Sequence, residues 1–189
     1  MKHAGFVLVG GNSTRMGCDK ALLDCRGQPL AAHVADTVRE AAGSVRLVGP
    51  PERYAHLGFE VVPDLEPGRG PLGGIRTALR VSEAEWNLVV ACDMPSLTPE
   101  FLRTLLAEAE QSAGDVLMPV SPAGLPEPLC AVYRKDCLPA VEAALREGRL
   151  KTSDAFLTVR LVRLDVPQSE WFANMNTPEE WAGHLNRHG

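Results

Sequence analysis

The residues best suited to chemistry lie in Val7-Leu8-Val9-Gly10-Gly11-Asn12-Ser13-Thr14-Arg15-Met16-Gly17-Cys18-Asp19-Lys20, where an apolar run passes straight into a loop of glycines, hydroxyls and cations. Such a loop suits phosphate. Glycines let backbone N–H groups approach an anion, and Arg15 and Lys20 bring positive charge to the same point. No Gly-Lys-Ser/Thr closes the loop, so it is not a Walker A motif. Adjacent glycines at 10 and 11 also exclude the three-glycine dinucleotide fingerprint. A plain turn would not require Arg15, Asp19 and Lys20 at these spacings.

A second glycine cluster, Gly68-Arg69-Gly70-Pro71-Leu72-Gly73-Gly74, formally satisfies G-x-G-x-x-G, with Asp93 about twenty residues on. The context is wrong for a dinucleotide site. Residues 63–67 separate the cluster from the preceding apolar run, and Pro71 removes an N–H from the turn. The cluster is better read as a loop and helix start shaping a nucleotide pocket, with Arg69 offered either to phosphate or to solvent. Asp93 follows Leu88-Val89-Val90-Ala91-Cys92 and precedes Met94-Pro95. An acid there either opens a turn or delivers hard oxygen to Mg²⁺, which takes one or two carboxylates plus substrate phosphates. Beside the first loop, the metal reading is preferred. Asn174 and Asn176 alternate on an extended segment and share a face, or else prepare a helix cap.

These residues need elements to hold them. Apolar runs predict strands at 4–9, 45–48, 59–62, 86–92, 115–120, 129–133 and 160–166. Helical patterns occupy 29–43, opened by Pro29, then 71–81, 98–106 with Thr98 and Pro99 at its start, and 138–146. Thr177-Pro178-Glu179-Glu180 reads as the capping box of a last helix. The alternation implies an α/β fold of three layers, α/β/α, with a mostly parallel sheet and ligands beyond the carboxyl ends of its strands.

The 189 residues, 45% hydrophobic, suffice for a single domain over 1–189. A net charge of −5 argues against a general nucleic-acid binder and for a small anionic ligand met by local cations. The five cysteines are odd in number and without a Cys-x-x-Cys pair, which favours reduced thiols and a cytoplasmic protein. Neither a signal peptide nor a membrane-spanning run is indicated. The basic stretch at 146–151 either meets an anionic acceptor or is a solvated helix end, and the second reading is preferred.

Taken together, these motifs resemble the molybdenum cofactor guanylyltransferase family over nearly the whole chain. The resemblance implies a Rossmann-like nucleotidyltransferase fold and Mg²⁺-dependent transfer of GMP from GTP to the terminal phosphate of molybdopterin. It implies nucleotide contacts at Leu8, Val9, Gly10, Gly11, Lys20, Asp64, Gly73 and Asp93, with Arg15, Lys20 and Asp93 in the catalytic set and Asp93 as metal ligand. Glu127, Pro128, Asn174 and Asn176 would face the acceptor. The substrates implied are GTP and molybdopterin, with transient contact to molybdenum cofactor-handling proteins and a monomer or weak oligomer. Related enzymes of this fold use CTP, or take cobinamide phosphate or sugar phosphates, and a nucleotide-binding protein without turnover is the other class. One departure stands out: the family often has asparagine after the second strand, where this chain has Gly49-Pro50.

Overall fold

A computed structural model describes residues 2–10, 19–156, 158–168 and 170–172. In chain order the elements are β1 (His3–Leu8), a small hairpin of β2 (Asp24–Cys25) and β3 (Gln28–Pro29), α1 (Leu30–Ala42), β4 (Val45–Val48), α2 (Pro51–Tyr54) and β5 (Val61–Val62). They continue with α3 (Gly70–Val81), β6 (Trp86–Ala91), α4 (Pro99–Gln111), β7 (Val116–Val120), β8 (Cys130–Arg134), α5 (Leu138–Arg146), α6 (Thr152–Ala155) and β9 (Leu161–Asp165). Seven strands form one sheet in the order β5-β4-β1-β6-β8-β7-β9. All pairings are parallel except those of β8, which runs antiparallel to both β6 and β7.

Alternation along the strands fills two apolar cores, one on each face of the sheet. Val7, Leu88, Val90, Val132 and Leu117 point to the side covered by α1 and α4, while Phe6, Val89, Ala131, Tyr133 and Met118 point to the side covered by α3, α5 and α6. That is the expected three-layer arrangement. Strands buried on both faces appear as continuous apolar runs, and β6 is buried at all six positions.

Several expectations are adjusted in detail. The direction of β8 was not fixed by its pattern, because apolar runs alternate alike whichever way a strand runs. Pro29 does not begin α1: its backbone is extended (φ −57°, ψ 139°) and it pairs with Asp24 across the hairpin, so the helix opens one residue later. The strand expected at 59–62 shrinks to two residues, although Glu60 O still accepts from Leu47 N at 2.9 Å. Thr98 caps α4 as expected, its hydroxyl accepting from Phe101 N at 3.3 Å. The helix expected at Thr177 lies outside the described residues.

Candidate functional site

The carboxyl ends of β1, β4 and β6 open onto one cavity of about 630 Å³, within the range of small-molecule sites. Its wall includes Leu8, Val9 and Gly10 from the end of β1, Asp19 and Lys20, and Asp64 after β5. Cys92, Asp93 and Met94 after β6 and Glu127, Pro128 and Leu129 before β8 complete the far side. Lys20, Asp64, Asp93 and Glu127, far apart in sequence, thus meet at one edge of the sheet.

Each is held by local structure. Beyond β1 the parallel ladder continues, Val9 N donating to Val48 O at 2.9 Å, and then Gly10 turns the chain at φ 103°. A side chain there would be strained by that φ and would lie 2.9 Å from Pro50 Cδ. Lys20 begins a short 3-10 turn, Lys20–Leu22, capped by Asp19, whose Oδ1 accepts from Ala21 N at 3.1 Å. Asp64 Oδ1 accepts from Thr77 Oγ1 at 3.0 Å and from Glu66 N at 3.1 Å, which fixes the carboxylate against α3. After Asp93, the chain is tied to α1 by His33 Nε2–H donating to Pro95 O at 3.2 Å. Glu127 is pinned through its backbone: its N donates to Pro119 O at 2.9 Å and its O accepts from Cys130 N at 3.1 Å. Buried Tyr133 then donates from its hydroxyl to Pro128 O at 2.5 Å.

The electrostatics separate the acids. Burial pushes the Asp93 carboxyl above the usual range, opposed by the nearby Lys20 ammonium and by its own backbone N–H. Burial alone raises Glu127. The Cys92 thiol is pushed up to about 12, first by burial and then by Asp93, so at neutral pH it is a protonated wall group rather than a nucleophile. Among the described residues no three of His, Cys, Asp and Glu gather as a metal cage. A cation at Asp93 would share that carboxylate with substrate phosphates and water, as Mg²⁺ does. In donor chemistry Asp93 fits that ion.

The expected site residues divide clearly. Leu8, Val9, Gly10, Lys20, Asp64, Asp93, Glu127 and Pro128 line the cavity. Gly73 does not: it packs behind Asp64, where a Cβ would approach Arg69 Cβ to 3.0 Å and Asp64 Oδ2 to 3.7 Å, while Gly68, Gly70, Pro71 and Gly74 form the wall instead. Gly11, Arg15, Asn174 and Asn176 lie outside the described residues. Arg69 faces away from the cavity wall. Its Nε lies 3.4 Å from Glu66 Oε2, and with Arg76, Arg80, Glu142 and Arg146 it borders a separate cleft of about 270 Å³ between α3 and α5.

At Gly49 the geometry is decisive. A Cβ there would lie 2.4 Å from Val9 O and 2.7 Å from Val9 Cγ2, so the close approach of the chains after β1 and β4 leaves no room for a side chain. Position 49 therefore offers no side-chain contact to the cavity, and the asparagine that the resemblance led one to expect there has no counterpart. The segment after it instead forms α2, whose Arg53 and Tyr54 both donate to Asp19. Sequence reading missed them. The available signal was Pro51, which stands in the first turn of α2.

Comparison with known proteins agrees with this geometry. A protein of Pelotomaculum thermopropionicum named probable molybdenum cofactor guanylyltransferase is 39% identical over 189 aligned positions, covering 95% of this chain and 90% of its own. One of Flavobacterium johnsoniae with the same name is 33% identical over 177 positions, covering 93% and 92%. The crystal structure of molybdopterin-guanine dinucleotide biosynthesis protein A from Archaeoglobus fulgidus superposes with a TM-score of 0.83 at 28% identity, covering 97% of each chain. The profile of the MobA-like NTP transferase domain matches residues 5–161, which include Lys20, Asp64, Asp93 and Glu127 together with the strands that deliver them. With loop, sheet edge and acids all falling inside that match, the chain belongs to the MobA-like NTP transferase family.

Proposed function

We propose that this chain transfers GMP from GTP to the terminal phosphate of molybdopterin, releasing pyrophosphate. The observation that carries this reading is the meeting of Lys20, Asp64, Asp93 and Glu127 in one cavity at the carboxyl edge of a parallel sheet. The guanylyltransferase names of relatives that align over nearly the full chain support the choice of nucleotide and acceptor.

In the reaction, an oxygen of the acceptor phosphate forms a new bond to the α-phosphorus of GTP. The bond from that phosphorus to the bridging oxygen breaks, and pyrophosphate leaves with the electron pair. The protein's work is positioning and charge neutralisation, as in other phosphoryl transfers. Lys20, with Arg15, holds the triphosphate, and the backbone from Leu8 to Gly11 cradles it. Asp64, its Oδ1 already engaged, offers Oδ2 to guanine N–H groups or to ribose hydroxyls. Asp93 would hold Mg²⁺, which when bound withdraws charge from the phosphates that would otherwise repel each other. Glu127 and Pro128, with Asn174 and Asn176, face the acceptor.

Residues 1–189 act as a single domain in this reading, in the cytoplasm, as a monomer or weak oligomer in transient contact with proteins that handle the molybdenum cofactor. Among the described residues no helix is long and apolar enough to cross a membrane. Asp93→Ala tests the metal assignment. Magnesium-dependent pyrophosphate release from GTP should fall by at least about a hundredfold while the melting temperature stays near that of the parent. A near-normal rate would remove Asp93 from the metal site.

A further inference from the structure

We infer that Tyr54 and Arg53, acting through Asp19, are positioning residues that set Lys20 for the triphosphate, an inference that rests on the function proposed above. The Asp19 carboxylate is engaged at both oxygens. Oδ1 accepts from Ala21 N at 3.1 Å, and Oδ2 accepts from the Tyr54 hydroxyl at 2.8 Å and from Arg53 Nη2. Capping a surface turn needs only the first of these bonds. Here a wholly buried tyrosine aims its one polar atom at the second oxygen, and the Arg53 guanidinium lies over the Tyr54 ring, 5.4 Å from its centroid. Burial and the bond to Asp19 push the phenol well above its ordinary range, so it remains a donor at neutral pH.

Two consequences reach Lys20. The first is geometric. Asp19 caps the turn that Lys20 begins, and Leu23 N donates back to Lys20 O at 3.1 Å, so fixing the carboxylate fixes the base of the lysine side chain. The second is electrostatic. Asp19 also borders the cavity, and without a partner its charge would compete with phosphate for the adjacent ammonium. Arg53 supplies that partner from the far side. The cluster is itself anchored at the sheet, since α2 begins directly after the Gly49-Pro50 segment that packs against Val9 and Gly10.

Equilibrium binding of GTP and of GMP to the full chain separates positioning from general stability. Tyr54→Phe keeps the buried ring and removes only the hydroxyl. It should weaken GTP binding by about tenfold, the effect of one hydrogen bond to a charged group, and leave GMP binding unchanged. In a Lys20→Ala background Tyr54→Phe should add little, because its effect passes through the lysine. Equal losses for GTP and GMP, or full additivity with Lys20→Ala, would assign the cluster to structure alone and overturn the inference. A parent protein that discriminates GTP from GMP, with Tyr54→Phe discriminating equally well, would overturn the positioning role but not the function. A parent that binds GTP no better than GMP would overturn the triphosphate role of Lys20 and this inference with it.

Discussion

Glu127 shares a cavity with Asp93 but not its surroundings. Asp93 has the Lys20 ammonium and a backbone N–H to favour its charge, whereas Glu127 has burial acting on it without such relief. A carboxylate desolvated in this way gains most from a ligand that brings N–H donors. We therefore expect Glu127→Gln to raise KM for the molybdopterin acceptor by about tenfold with little change in KM for GTP, as measured by initial rates with each substrate varied. A rise confined to GTP would move Glu127 to the nucleotide half of the cavity. Single residues of this kind were largely legible in the sequence. Asp93 ends an unbroken apolar run and Lys20 closes a glycine loop, and both features mark the active edge of an α/β sheet. The supporting residues were not legible in the same way. Tyr54, Tyr133 and His33 act through hydrogen bonds across 35, 5 and 62 positions of chain, and neither residue type nor local spacing announces such a partner.

At the scale of elements, the ends of β1 and β4 are the critical junction. The chains after them run so close that Gly49 N donates to Val62 O at 3.0 Å on one side while the Gly49 Cα abuts Val9 on the other. A Cβ 2.4 Å from Val9 O cannot be absorbed by rotating a side chain, because the obstacle is backbone. Both Gly49→Ala and Gly49→Asn should thus lose about 1–3 kcal/mol of stability in denaturant titration, and restoring an asparagine at position 49 should not improve GTP affinity. Parent-like stability with tighter GTP binding in Gly49→Asn would show that the junction can open. The positions of all seven main-sheet strands were readable: those covered on both faces, such as β6 and β7, leave continuous apolar runs, and the partly exposed edge strands β5 and β9 leave short or interrupted ones. Strand direction was not. The pairing of β8 between β6 and β7 depends on how the 121–129 connection folds back, where Glu127 N reaches Pro119 O at 2.9 Å, and no periodicity encodes that return. The β2–β3 hairpin and α2 escaped for another reason. At two to four residues each, they are too short for any period to develop.

For the molecule as a whole, an acidic chain must bind a polyanionic substrate. A net charge of −5 argues against attraction by a broad basic surface, so the charge of the substrate has to be met locally, and among the described lining residues Lys20 is the cation that stands beside Asp19, Asp64, Asp93 and Glu127. Other cations are paired outside the cavity. The arginines of α3 pair with Glu66 and Glu142 in a cleft apart from the cavity, and Arg160 pairs with Asp115 at the start of β7. Lys20 faces the acids of the cavity itself. The two apolar cores on either side of one sheet hold these edges in register, which is why residues from position 8 to position 129 converge on one opening. Nucleotidyl transfer is the activity this arrangement serves, and pyrophosphate release measured with each of the four NTPs, in the presence of Mg²⁺ and molybdopterin, tests it most directly. Release should occur with GTP, depend on the acceptor, and be weak with ATP, CTP and UTP; preferential release with CTP, or none with any nucleotide, would contradict it.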